Sequence, residues 1–237
     1  MTRPRIALIG TGGTISSLGE DPFDIIDYGR HGRIMNAQQL LEYWPQVAQV
    51  ADVRPVKFSA MPSTAIGPAQ WLELVRACHQ AAADMPDLDG IVVTHGTASL
   101  EETAYFLSLT VKLDIPVVVV GAQRPSSGLS SDAGMNLANA CRVAGDPGAR
   151  GLGALVLLND EIHAAREVTK TSTSRLQTFR SPDFGCLGHS DADKIAWYRR
   201  PLRPVGKATE FDVAGRESLP RVDIVYCYGG ADGAAVD

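Results

Sequence analysis

The sequence holds no apolar run approaching the roughly 18 residues of a spanning helix, which argues against a helical membrane protein. It has 22 basic residues against 27 acidic ones, and the basic residues form no cluster. The electrostatic footprint of a nucleic-acid binder is therefore missing. Its four cysteines, Cys78, Cys141, Cys186 and Cys227, are scattered without a C-x-x-C pair. That excludes a zinc ribbon and a disulfide framework, and it predicts reduced thiols in a cytoplasm. The N-terminus passes from Met-Thr-Arg-Pro-Arg straight into Ile6, with no long apolar core and no small-residue cleavage site, so no signal peptide is expected. Repeats and low-complexity tracts are absent as well. What is present is 237 residues, 45% hydrophobic and 21% charged, with a net charge of −5. Such a chain is globular, and its length allows one large domain or a domain plus a fragment.

Short apolar runs recur at residues 6–9, 91–93, 116–120, 154–158 and 222–226, each bounded by Gly, Thr or Pro. Continuous Val/Ile/Leu runs of this length predict strands buried on both faces. Between them, Trp71, Leu74, Val75 and Cys78 follow helical spacing, as do Ala104, Leu107 and Val111, and a third helix is expected over 133–143. Strands alternating with helices predict an α/β fold, a doubly wound and mostly parallel sheet. Ligands in such folds bind outside the carboxyl ends of the strands, near a switch in strand order. The polar, Gly-rich segments 11–16, 94–99 and 121–132 fall there. Residues 194–200 alternate as an edge hairpin would. Residues 201–221 read as a linker, and 222–226 as the first strand of a further unit.

Three segments carry potential chemistry. Thr11-Gly12-Gly13-Thr14 follows the first strand, where glycine lets backbone approach a ligand closely and Thr14 offers a hydroxyl. It lacks the lysine of a P-loop. Thr94-His95-Gly96-Thr97-Ala98-Ser99 leads into a helix that Thr97 or Ser99 would cap, with Glu101 and Glu102 complementing its dipole. Val168-Thr169-Lys170-Thr171 sets one lysine among hydroxyls, either a solvated loop residue or a lysine tuned for proton transfer.

Taken together these segments resemble the bacterial-type L-asparaginase/glutaminase amidohydrolases. The resemblance rests on Thr11-Gly12-Gly13-Thr14-Ile15, His95-Gly96-Thr97 with Glu101-Glu102-Thr103-Ala104-Tyr105-Phe106-Leu107, and Gly121-Ala122-Gln123-Arg124-Pro125-Ser126. It extends through Ser131-Asp132, Met135-Asn136-Leu137, Asn159-Asp160, Ala165-Arg166 and Val168-Thr169-Lys170-Thr171, in the same order along the chain. It implies a catalytic N-terminal domain (1–200), a linker (201–221) and the opening of a smaller C-terminal α/β domain (222–237). It also implies a cytoplasmic homodimer or homotetramer acting on a small-molecule amide, with no cofactor, no metal, and neither nucleic acid nor membrane as partner.

Residue by residue, the resemblance makes Thr14 the nucleophile and Tyr28, on a lid segment, its activator. Thr97 and Lys170 become the pair that positions and deprotonates a hydroxyl or water. Gly13, Gly96 and Ala98 line the substrate, and backbone N–H groups near Thr97 and Ala98 are the oxyanion donors. Two departures stand out. The family's His-Gly-Thr-Asp-Thr here reads His95-Gly96-Thr97-Ala98-Ser99, so the acid that pairs with the lysine and binds the substrate's α-ammonium is missing. Lys170 would thereby lose its counter-charge and, if buried, have a lowered pKa. The stretch before Trp71 is also longer than in the family, so Ser59, Ser63 and Thr64 compete to hold the substrate carboxylate, and Ser59 is favoured. An amidase for substrates lacking the α-ammonium, or an inactive binding or regulatory protein of the same fold, are the alternative readings.

Overall fold

The computed structural model describes residues 2–234. Its sheet is built on β1 (Arg5–Gly10), β2 (Asp52–Val56), β3 (Gly90–Thr94), β4 (Val117–Val120) and β5 (Ala154–Leu158). These five pair in parallel, in the order β2-β1-β3-β4-β5. Beyond β5 the sheet turns antiparallel through β6 (Glu161–Ala164), β9 (Gly188–Ser190) and β10 (Ile195–Trp197). A separate two-stranded ribbon pairs β7 (Thr169–Lys170) with β8 (Phe179–Arg180). The mostly parallel sheet and the edge hairpin expected over 194–200 are both present.

The alternation along each strand sends side chains to two cores. Ile6, Leu8, Val92, Val118 and Leu155 pack with α1 (Ala37–Tyr43) and α4 (Ala133–Ala144) on one face. Ala7, Ile9, Val93, Val119 and Val156 pack with α2 (Pro68–Asp84) and α3 (Leu100–Thr110) on the other. Each fully buried Val, Leu or Ile contributes about 1.5–3 kcal/mol, so the sheet centre is the stable frame of the molecule. Strand order reverses at β1, which lies between β2 and β3. This arrangement opens a crevice between the loops that follow β1 and β3.

One expectation needs correction. Residues 222–226 form no strand: Val222 and Ile224 are 81% exposed, and no neighbouring strand offers the ladder that an extended segment needs. The early part of the segment expected as a linker packs against the domain. Lys112 Nζ, at the end of α3, donates to the carbonyls of Gly206 and Thr209, and Gly206 is buried. Residues 235–237, the end of the expected C-terminal segment, lie outside the described residues.

Candidate active site

The loop after β1 is held in a conformation only glycine accepts readily. Gly12 has φ 99°, and Gly13 has φ 85° with ψ 179°, a region closed to side chains. A Cβ on Gly13 would fall 2.3 Å from the Gly96 backbone, so the loops after β1 and β3 touch backbone to backbone. Thr11 ties them further, its Oγ1 donating to the Thr94 carbonyl at 2.8 Å. Beyond Gly13 the chain makes one short turn, Thr14–Ser16, which leaves Thr14 half-buried. Ser126 anchors that turn: its Oγ donates to the Ile15 carbonyl at 2.7 Å and accepts from Trp44 Nε1 at 3.0 Å. The Thr14 Oγ1 lies 2.7 Å from the Tyr28 hydroxyl.

The loop after β3 rests on a buried histidine. His95 Nδ1 donates to the Gly96 carbonyl at 2.8 Å, which leaves Nε2 to accept from Thr103 Oγ1 at 2.9 Å. Trp71 Nε1 in turn donates to Thr103 Oγ1 at 2.8 Å. Burial pushes the His95 pKa down to about 4, so the ring is neutral at neutral pH and acts as a brace. Thr97, also buried, stands beyond it, and Gly121 backs it so closely that a Cβ there would meet Thr97 Cγ2 at 2.9 Å. Lys170 Nζ donates to Thr97 Oγ1 at 2.7 Å.

Burial lowers the Lys170 pKa, while the charge of Glu101 opposes the shift. The lowered pKa expected for a buried Lys170 is therefore present, and Glu101, bound to the Lys170 backbone N–H, is near enough for its charge to act on the lysine. Ser99 stands at the N-cap of α3, but its hydroxyl donates to the Ser63 carbonyl at 2.6 Å and does not cap the helix.

The structure brings together Gly13, Thr14, Tyr28, Gly96, Thr97 and Lys170, and leaves Ala98 exposed at the mouth of the α3 loop. It does not bring Ser59 with them. Ser59 is exposed, in a shallow groove with Lys57, Phe58, Glu73, Arg76 and Ala77. Thr64 is also exposed, whereas Ser63 is buried, its Oγ 2.7 Å from where a Gly96 Cβ would lie. Ser63 therefore replaces Ser59 as the serine beside the site. The loop stays against the β1 loop at Met61, whose N–H donates to the Thr11 carbonyl at 2.9 Å, and the turn Ser63–Ala65 then sets Ser63 against Gly96, while Ser59 stays on the exposed stretch before Met61. Among the described residues no group of three or more His, Cys, Asp or Glu is placed to hold a metal.

Comparison with known proteins identifies the family of the domain that carries these residues. The model of the asparaginase N-terminal domain matches residues 5–203. The chain belongs to the asparaginase family. L-asparaginase 2 of Bacillus subtilis is 44% identical, over 95% of this chain and 59% of its own length. Glutaminase-asparaginase of Pseudomonas fluorescens is 40% identical, over 98% of this chain and 63% of its own. The crystal structure of a probable cytoplasmic L-asparaginase from Campylobacter jejuni superposes with a TM-score of 0.90 at 37% identity. That superposition covers 99% of this chain and 70% of the Campylobacter chain. The chain thus spans about three-fifths of the length of the curated relatives it matches.

Proposed function

We propose that the protein is an amidohydrolase that releases ammonia from a small carboxamide through an ester on Thr14. The observation that carries this reading is the pairing of two hydroxyl centres, Thr14 with Tyr28 and Thr97 with Lys170, each at 2.7 Å, on loops that touch. Thr14 Oγ1 attacks the amide carbon and gives its proton to the Tyr28 oxygen as Tyr28 passes its own hydroxyl proton on to the amide nitrogen, so that Tyr28 ends the step neutral. The C–N bond breaks as nitrogen takes up that proton and leaves as ammonia. Water then gives a proton to Lys170 through Thr97 and attacks the ester, the acyl–Thr14 Oγ1 bond breaks, Thr14 regains a proton from the acid formed, and the product leaves as a carboxylate. Splitting one hard step into two easier ones is the advantage of a covalent route. Backbone N–H groups of Thr97 and Ala98, in the turn that leads into α3, serve as donors to the oxyanion. Ser63 and Gly96 flank the substrate.

One observation favours a substrate that departs from asparagine. Position 98 carries a methyl group, so no carboxylate is offered there to an α-ammonium. Without that carboxylate the α-ammonium gains no ion pair at position 98, which favours amides that lack the ammonium. Ammonia release from asparagine, glutamine and simple carboxamides tests the choice. Simple carboxamides are expected to be turned over faster than asparagine, and Ala98→Asp is expected to restore asparagine. Equal turnover of asparagine by both proteins would sink the argument from position 98. We further place the protein in the cytoplasm, in keeping with its four free cysteines and with the probable cytoplasmic L-asparaginase from Campylobacter jejuni, and take it as a homodimer or homotetramer from the family resemblance.

A further inference from the structure

The sequence offers two adjacent acids at the start of α3, and the structure separates them. Glu102 is exposed, whereas Glu101 turns inward. Glu101 Oε1 accepts from Thr169 Oγ1 at 3.0 Å, and Oε2 accepts from the backbone N–H of Lys170. Both oxygens are thus engaged by consecutive residues of β7, far along the chain. That strand is only two residues long and pairs with an equally short β8, so its ladder alone is a weak mount for a lysine. Its tie to α3 supplies the missing rigidity, because α3 begins three residues beyond Thr97.

We infer that Glu101 is the positioning residue of the Thr97–Lys170 pair, mounting both on one helix and supplying the charge that position 98 lacks. This rests on the reading of Lys170 as the base. The surroundings of Lys170 make the charge specific. Its partner on β8 is Phe179, and the neighbouring Arg180 faces Glu161 at 3.8 Å. Residues 96–99, the loop from β3, bring no ionisable side chain.

The test is the pH dependence of ammonia release by the intact protein and its Glu101→Gln, Glu101→Ala and Lys170→Met variants. Glutamine keeps both contacts, its carbonyl accepting from the Lys170 N–H and its amide donating to the Thr169 hydroxyl, but it removes the charge. Without that charge Lys170 gives up its proton more readily. The acidic limb of kcat for Glu101→Gln should therefore move down by about one pH unit at an unchanged Tm. Alanine loses the mount as well, and kcat should fall about a hundredfold with KM little altered. A Glu101→Gln profile that superimposes on the wild type overturns the inference while leaving the catalytic reading intact. Undiminished activity in Lys170→Met overturns both.

Discussion

Thr14 and Thr97 lie on loops whose backbones touch, yet the supports behind them differ. Behind Thr97 stand fully buried groups: His95 and Thr103 at 0% exposure, with Trp71 donating to Thr103 from α2. Behind Thr14 the decisive partner, Tyr28, comes from a surface segment on which Phe23 and Ile26 are 79% and 84% exposed. One hydroxyl centre is built into the core, so damage to it costs stability. The other is completed by a surface segment, so on the proposed function damage to it should cost activity and leave stability intact. The contrast separates what the fold must hold permanently from what a substrate must be able to approach.

The joint between the two regions is the place to break both at once. Gly13→Ala puts a methyl group 2.3 Å from the Gly96 backbone, in a conformation that only glycine tolerates. It should cost about 3–5 kcal/mol in denaturant unfolding and abolish ammonia release. Acid is the next lever, and it acts on the Thr97 side. The His95 pKa is about 4 when folded against 6.5 for the free side chain. Between those values the unfolded chain binds the extra proton, so stability falls as pH falls through that window. The loss from His95 alone is about 3 kcal/mol, visible as a Tm that drops from pH 6.5 to 4.

Thr103→Val sharpens the same side. It strips partners from His95 Nε2 and Trp71 Nε1 and should cost about 2 kcal/mol, read by denaturant titration. The Thr14 side should behave in the opposite way. Tyr28→Phe removes the hydroxyl 2.7 Å from Thr14. Stability should stay within about 0.5 kcal/mol of the wild type, while turnover falls about a hundredfold or more. A Tyr28→Phe protein as destabilised as Thr103→Val would erase the distinction between the two sides.

Much of this architecture was legible in the sequence because strands buried on both faces must be apolar throughout. Residues 91–93, 116–120 and 154–158 announce themselves that way. β2 does not, since Asp52–Val56 runs along the sheet edge, largely exposed and interrupted by Pro55. Helix α1 is short, and its signal is local: Asn36 and Gln39 form a reciprocal cap.

At the site, Gly13, Thr14 and Thr97 are legible through the family resemblance that their motifs carry, since type and spacing alone read as a tight turn and a helix cap. The serine beside the site is not, because choosing Ser63 over Ser59 depends on where a long loop turns. Glu101 reads as an ordinary first-turn acid, and its role emerges only when β7, 69 residues later, folds back onto α3. Ser126, which props the Thr14 turn from 111 residues away, is hidden for the same reason. Local chemistry is visible in a sequence, whereas tethers between distant segments need the fold.

The claim that the two hydroxyl centres form one catalytic site, with Thr14 as nucleophile, is tested most directly by acid-quenching the intact protein during turnover of a carboxamide and mapping its peptides by mass. The account predicts an acyl ester on the peptide carrying Thr14, lost in Thr14→Ala together with ammonia release. An ester on Thr97 instead, or undiminished ammonia release by Thr14→Ala, would contradict it.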